Sequence, residues 1–274
     1  MTGSPRTKVY ILTYCRNPES LYGSTLTFRT LRTGFPNAEV GVFDNRSVPE
    51  AAAAVQSLCF QNGCTFYPLQ REVSHPGFIE YMLSRADAER VVFVDPDVVF
   101  WASCEDIELP EGKLFGGRYV PTFFDEYTQT VTLERLHSSL LVFERVAELR
   151  ERAARLIERH ISFAPFTPAS FCLGGRWYRL DTCAGLYAAM KPAAWAFAPS
   201  VLERYDHLLL GAQMDGVHSI REEDLAVIRG HHRAARDGDL AALKGIYRFQ
   251  DDYFARRRVD PALVPWLGAP EVTP

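Results

Sequence analysis

The stretch 91–100, VVFVDPDVVF, sets Asp95 and Asp97 into an otherwise apolar run. β-Branched and aromatic residues on both sides read as a buried strand. Two carboxylates one residue apart repel each other and are costly to remove from water, so they belong where they face solvent or hold a cation. Pro96 stiffens the turn and removes one backbone donor. In extended backbone, side chains two apart point the same way, which aims both carboxylates at one ion. Hard oxygen ligands suit Mg²⁺ or Mn²⁺, which also take phosphate oxygens and water. A solvated turn uses the same residue types, and Asp-x-Asp alone is a weak signal.

Upstream, strand-like and helix-like segments alternate. KVYILTY (8–14) is β-rich, and Pro18 and Glu19 suit the first turn of a helix running to about Thr33. AEVGVF (38–43) is a second strand, VPEAAAAVQSLCF (48–60) a helix and CTFYPL (64–69) a third strand. GFIEYMLSRADA (77–88) is helical, and RVVFV (90–94) is a fourth strand entering the aspartates. This alternation predicts a mainly parallel sheet with helices on both faces. Downstream, 113–120 and 137–144 read as strands and 145–160 as an amphipathic helix. Residues 161–180 read as irregular, and two more helices are expected near 220–236 and 239–257.

Ligands of an open parallel sheet bind beyond the carboxyl ends of its strands. Three such tips are polar: TYCRNP after strand one, DNRS after strand two and DPD after strand four. Asp44 can accept from a base N–H or a ribose hydroxyl, or simply close an Asx turn. Tyr14 can stack on a base and Arg16 can meet phosphate; a core-edge aromatic and a solvated charge are the plain alternatives.

The 274 residues carry 47% hydrophobic and 23% charged residues with a net charge of −4, so no global field favours nucleic acid. No apolar stretch approaches the roughly 20 residues needed to span a bilayer. The amino terminus MTGSPRTK lacks an apolar export core, so a cytoplasmic location is expected. None of the six cysteines forms a CxxC pair, and they read mostly as buried thiols.

The order VYILTYCRNPESL, then AEVGVFDNRS, then RVVFVDPDVVFW resembles the nucleotide-binding half of GT-A fold glycosyltransferases over residues 8–101. HSSLLVF (137–143) is a looser match, with Ser138 and Ser139 replacing the family's usual pair. The resemblance implies a single mixed α/β GT-A-like domain over 1–274, its mostly parallel sheet flanked by helices. It comprises a nucleotide half (8–101), an acceptor half (102–257) and a C-terminal arm (258–274). It implies that Thr13, Tyr14, Arg16, Asp44 and Asn45 line the nucleoside pocket. Asp95 and Asp97 would contact the ribose and a diphosphate-bound Mn²⁺ or Mg²⁺. Many members add a late histidine, for which His207 is preferred over His218; His231 and His232 read as surface. The implied donor is a nucleoside-diphosphate sugar, with uridine first.

GGRWYRLDTCAGL (174–186) carries two aromatics, two arginines and Asp181. Trp177 and Tyr178 can stack on a sugar face. Asp181 is the first choice for the base that takes the acceptor's proton, with Asp125 and Glu126 as substitutes. It also suits a helix N-cap. The expectation is a metal-dependent glycosyltransferase acting on a small-molecule or glycan acceptor, with peripheral membrane contact allowed. A sugar-phosphate nucleotidyltransferase and a non-catalytic nucleotide-sugar-binding module stand as alternatives. The first normally carries a glycine-rich basic loop after strand one, and TYCRNPES has no glycine.

Overall fold

The computed structural model describes residues 7–126, 128–159, 166–210 and 222–260. Its first half follows the expected alternation: β1 (Thr7–Thr13), α1 (Pro18–Gly34), β2 (Glu39–Asp44), α2 (Pro49–Gln61), β3 (Thr65–Pro68), α3 (His75–Arg85) and β4 (Arg90–Val94). Short strands β5 (Val98–Phe100), β6 (Phe115–Val120), β7 (Phe123–Asp125) and β8 (Thr130–Thr132) lead to the long β9 (Arg135–Glu144) and α4 (Val146–Arg159). Then come β10 (Ala169–Leu173), β11 (Arg176–Leu180), α5 (Ala184–Ala189), β12 (Ala194–Ala196), α6 (Pro199–Leu202), β13 (Tyr205–His207), α7 (Glu222–Arg236) and α8 (Arg248–Arg256).

The main sheet has the order β12-β6-β9-β4-β1-β2-β3. β1 pairs parallel with β2 and β4, β2 parallel with β3, and β12 parallel with β6; β9 lies antiparallel between β4 and β6. The sheet is therefore mixed but mostly parallel, with helices on both faces. Both faces of β1 are buried, which explains its unbroken apolar run. Val9 and Ile11 join the core under α1 and α2, while Tyr10 and Leu12 join the core under α3 and α4. Asn17 caps α1 through a reciprocal box with Ser20, and Pro18 opens the helix. Gly34 lets α1 close on β5, since a Cβ there would lie 2.5 Å from the Phe100 ring.

Some expectations are corrected. Residues 169–180 are not irregular: β10 and β11 form a hairpin across Gly174 and Gly175, whose φ values of 58° and 76° suit a two-residue turn. The hairpin belongs to a second sheet, β10-β11-β8-β7. The helix expected over 239–257 is broken at Gly245 (φ 79°), leaving a 3₁₀ turn (Leu240–Leu243) and α8. His232 is buried at 2% exposure, not at the surface: its ring packs on Tyr22 and its Nε2 lies 3.1 Å from the Leu208 carbonyl. The six cysteines are free thiols, four of them buried, with Cys172 exposed. No helix among the described residues is long and apolar enough to cross a membrane.

Candidate metal and donor site

Because β4, β1 and β2 are neighbours, their carboxyl ends lie side by side. The three polar tips thus share one edge of the sheet. Asp95 follows β4 directly, and Asp97 precedes β5 by one residue; the pair sits in a turn rather than in extended backbone.

Three elements fix that turn. α1 supplies Thr27 and Thr30, whose hydroxyls accept from the Val98 and Phe100 amides at 3.0 and 3.1 Å. The helix thereby satisfies one edge of β5, while β13 pairs antiparallel with the other, matching His207 to Val98. Gly23 of α1 allows the close approach: a Cβ there would meet Asp97 Cβ at 3.0 Å. β9 anchors Asp95, whose amide donates to the Ser139 carbonyl (3.0 Å) while Ser138 Oγ donates to Oδ2 (3.3 Å). The β6–β9 register shifts beside these serines, between Gly117 and Arg118.

The outcome is a cluster of Asp95, Asp97 and His207 with one ligand atom from each, all within 4.8 Å of one another. His207 Nε2 lies 3.0 Å from Asp97 Oδ1 and 3.8 Å from Asp95 Oδ2. Burial works to raise the Asp97 pKa, but His207 and the Leu210 amide hold it below the ordinary carboxylate value. Burial works to lower that of His207, but Asp97 and then Asp95 lift it above the ordinary imidazole value. His137 packs edge-on against His207 at 5.3 Å; burial and then His207 keep it neutral. Two carboxylates and an imidazole nitrogen fit a hard divalent ion such as Mg²⁺ or Mn²⁺, which bonds at about 2 Å and fills its other positions with phosphate oxygens or water.

At the donor tips, Thr13 Oγ1 donates to Asp44 Oδ1 at 3.3 Å, and the Ser47 amide donates to Oδ2 at 3.2 Å. Asp44 is 4% exposed, so the Asx-turn reading describes its present contacts. Asn45 clasps the segment before α3: its Nδ2 donates to the Val73 carbonyl and its Oδ1 accepts from the Val73 amide. Tyr14 is open at 41% exposure, with the Arg16 guanidinium 4.5 Å from its ring centre and 3.3 Å from Glu72.

On the other flank, Asp181 does not cap α5, whose N-cap is Cys183 with no side-chain bond. Its Oδ2 lies 2.8 Å from Arg135, at the start of β9, and its Oδ1 accepts from the Thr182 amide. Burial works to raise its pKa, but Arg135, that amide and Arg179 hold it below the ordinary value. His75 connects the flanks: its Nε2 lies 3.3 Å from Asp95 Oδ1, and it adds to the field at Asp181. Asp125 instead accepts from the Thr128 amide, and Glu126 pairs with Arg257. Tyr178 is buried and stacked on Phe171, so it offers no open face. His218 lies outside the described residues.

His75 and His137 were not singled out from sequence. His75 opens α3 seven residues past the end of β3, beyond the residues that directly follow a strand. His137 carried no signal either.

No family model matches the chain, and no curated protein matches its sequence. Among solved structures, it aligns with a mannosyltransferase, PcManGT of Pyrobaculum calidifontis, complexed with GDP-Man and Mn²⁺. That match has 17% identity and a TM-score of 0.42 over 93% of this chain and 86% of that one. The galactosyltransferase LgtC, with donor and acceptor sugar analogues, aligns at 13% identity and a TM-score of 0.39 over 67% and 70%. TarS of S. aureus aligns at 16% identity and a TM-score of 0.33 over 54% of this chain and 29% of its own. The chain thus spans less than a third of TarS. At these identities and TM-scores the overlaps carry nothing about function.

Proposed function

We propose that the chain is a GT-A-like, metal-dependent glycosyltransferase that moves a sugar from a nucleoside-diphosphate sugar to an acceptor hydroxyl. The observation that carries this reading is the convergence of Asp95, Asp97 and His207 at a strand end whose neighbours present Tyr14, Arg16 and Asp44. Asp95, Asp97 and His207 are the residues to hold the ion. When bound, the ion supplies positive charge against a departing diphosphate. Ser138 and His75 orient Asp95, and the Leu210 amide orients Asp97. Tyr14 and Arg16 present a stacking face and a phosphate-directed charge to the donor. Asp181, held ionised by Arg135, accepts the proton of the attacking hydroxyl. Uridine is the first base to try.

The test follows release of nucleoside diphosphate from a panel of UDP- and GDP-sugars, with Mn²⁺ or with EDTA. Release in Mn²⁺, abolished by EDTA and reduced at least about 100-fold by Asp95→Ala or Asp97→Ala, is expected. Mn²⁺ electron paramagnetic resonance should lose its bound signal in the same variants. Full turnover in chelator, or in Asp95→Ala, rejects the metal assignment. Binding of donors without turnover favours the non-catalytic module.

A further inference from the structure

From Trp177 on, β11 alternates: Tyr178 and Leu180 are buried, whereas Trp177 is exposed and Arg179 partly so; Arg176, at the turn, is exposed as well. The pairing agrees, since Trp177 sits opposite Cys172 and Arg179 opposite Ser170, while Phe171 stacks on Tyr178 on the covered side. Asp181 follows the strand, and Arg179 turns toward it, Nη2 to Oδ1 at 4.0 Å. Trp177, Arg179 and the partly exposed Asp181 therefore lie along one row. Trp177 is 52% exposed, although an indole of that size is ordinarily well buried. The Gly174–Gly175 turn closes a regular hairpin that presents this indole.

From this row we infer that the acceptor is an oligosaccharide: its reacting unit lies at Asp181 and a more distant ring stacks on Trp177. At about 3.3 Å per residue, Trp177 stands about 13 Å along the strand from Asp181, farther than a single sugar ring reaches. An indole face suits the C–H face of a pyranose, and Arg179 lies between the two ends to donate to hydroxyl or carboxylate groups. This inference rests on the assignment of Asp181 to the acceptor side.

The test uses the full chain, with UDP and Mn²⁺ present, on an array of immobilised mono-, di- and trisaccharides. Wild type should bind features of two or more rings and not single rings. Trp177→Ala should weaken that binding about tenfold, with Trp177→Phe restoring most of it. The melting temperature of Trp177→Ala should match wild type. Equal binding to monosaccharides, unchanged binding by Trp177→Ala, or no binding to any feature overturns the inference. Donor hydrolysis measured in parallel separates the two readings. A wild-type chain inert toward every donor removes the enzyme, whereas an active one that ignores Trp177 removes only the platform.

Discussion

His232 carries a pH dependence that can be worked out from its surroundings. Burial lowers its pKa from 6.5 to about 4, against a smaller opposing pull from the Leu208 carbonyl, and Arg236 adds to the lowering. The folded chain therefore holds the ring neutral where the unfolded chain would take up a proton. The stability this contributes is fully present above pH 6.5 and is lost progressively as pH falls toward 4, amounting to about 3 kcal/mol. Urea midpoints measured from pH 7.5 to 4.5 should fall for wild type and fall less for His232→Phe. Parallel curves would assign the acid sensitivity elsewhere. In sequence this histidine sits among charges in a helix, and only its position opposite Leu208 makes it buried. The pairing of Asp95 with Asp97 was legible, because an acidic break in an apolar strand has few stable uses; His207, which the structure places beside them, was named only through the resemblance to a family with a late histidine. The amide of Asn45, a residue the resemblance places in the nucleoside pocket, is engaged with Val73, a partner 28 residues away that no local pattern announces.

Among the elements, α1 does more than cover the sheet. Its Thr27 and Thr30 stand in for a neighbouring strand, and β5 has only three residues of its own. Replacing Thr27 by Val keeps the shape but leaves the buried Val98 amide unpaired, which costs about 1–3 kcal/mol. The expected result is a lower denaturation midpoint together with weaker Mn²⁺ binding, because Asp97 is the residue before Val98. Unchanged ion affinity in a destabilised Thr27→Val chain would uncouple the helix from the site. The parallel βα units were readable from their periodicity and from Pro at helix starts. The short strands β7, β8, β12 and β13 were not, since three residues carry no period and form only where a partner waits. The β10–β11 hairpin was hidden by its aromatics and by Pro165 and Pro168 just before it, although Gly174–Gly175 was its mark.

For the whole molecule, two apolar cores on either side of one sheet hold the fold together without covalent crosslinks. Burial raises the thiol pKa values of Cys59 and Cys104 to about 12, which keeps them unreactive. Ellman's reagent should therefore modify Cys172 rapidly in the native chain, and six thiols after denaturation. Reductant should leave the melting temperature unchanged. Fewer than six thiols in the denatured, unreduced chain would reveal a disulfide.

β9 touches Asp181 through Arg135 and the Asp95–Asp97 turn through Ser138, three residues farther along. Those two positions are about 10 Å apart and lie within the main sheet, which leaves little room for drift. The strand works as a spacer bar between the proposed acceptor base and the proposed ion site. Trp177, by contrast, hangs on an outlying ribbon joined to that bar mainly through β8. On the proposed function, selectivity and chemistry are thus mounted on separate parts. Exchanging residues 169–180 for another hairpin of equal length should retune which glycans are taken while donor handling stays as it is.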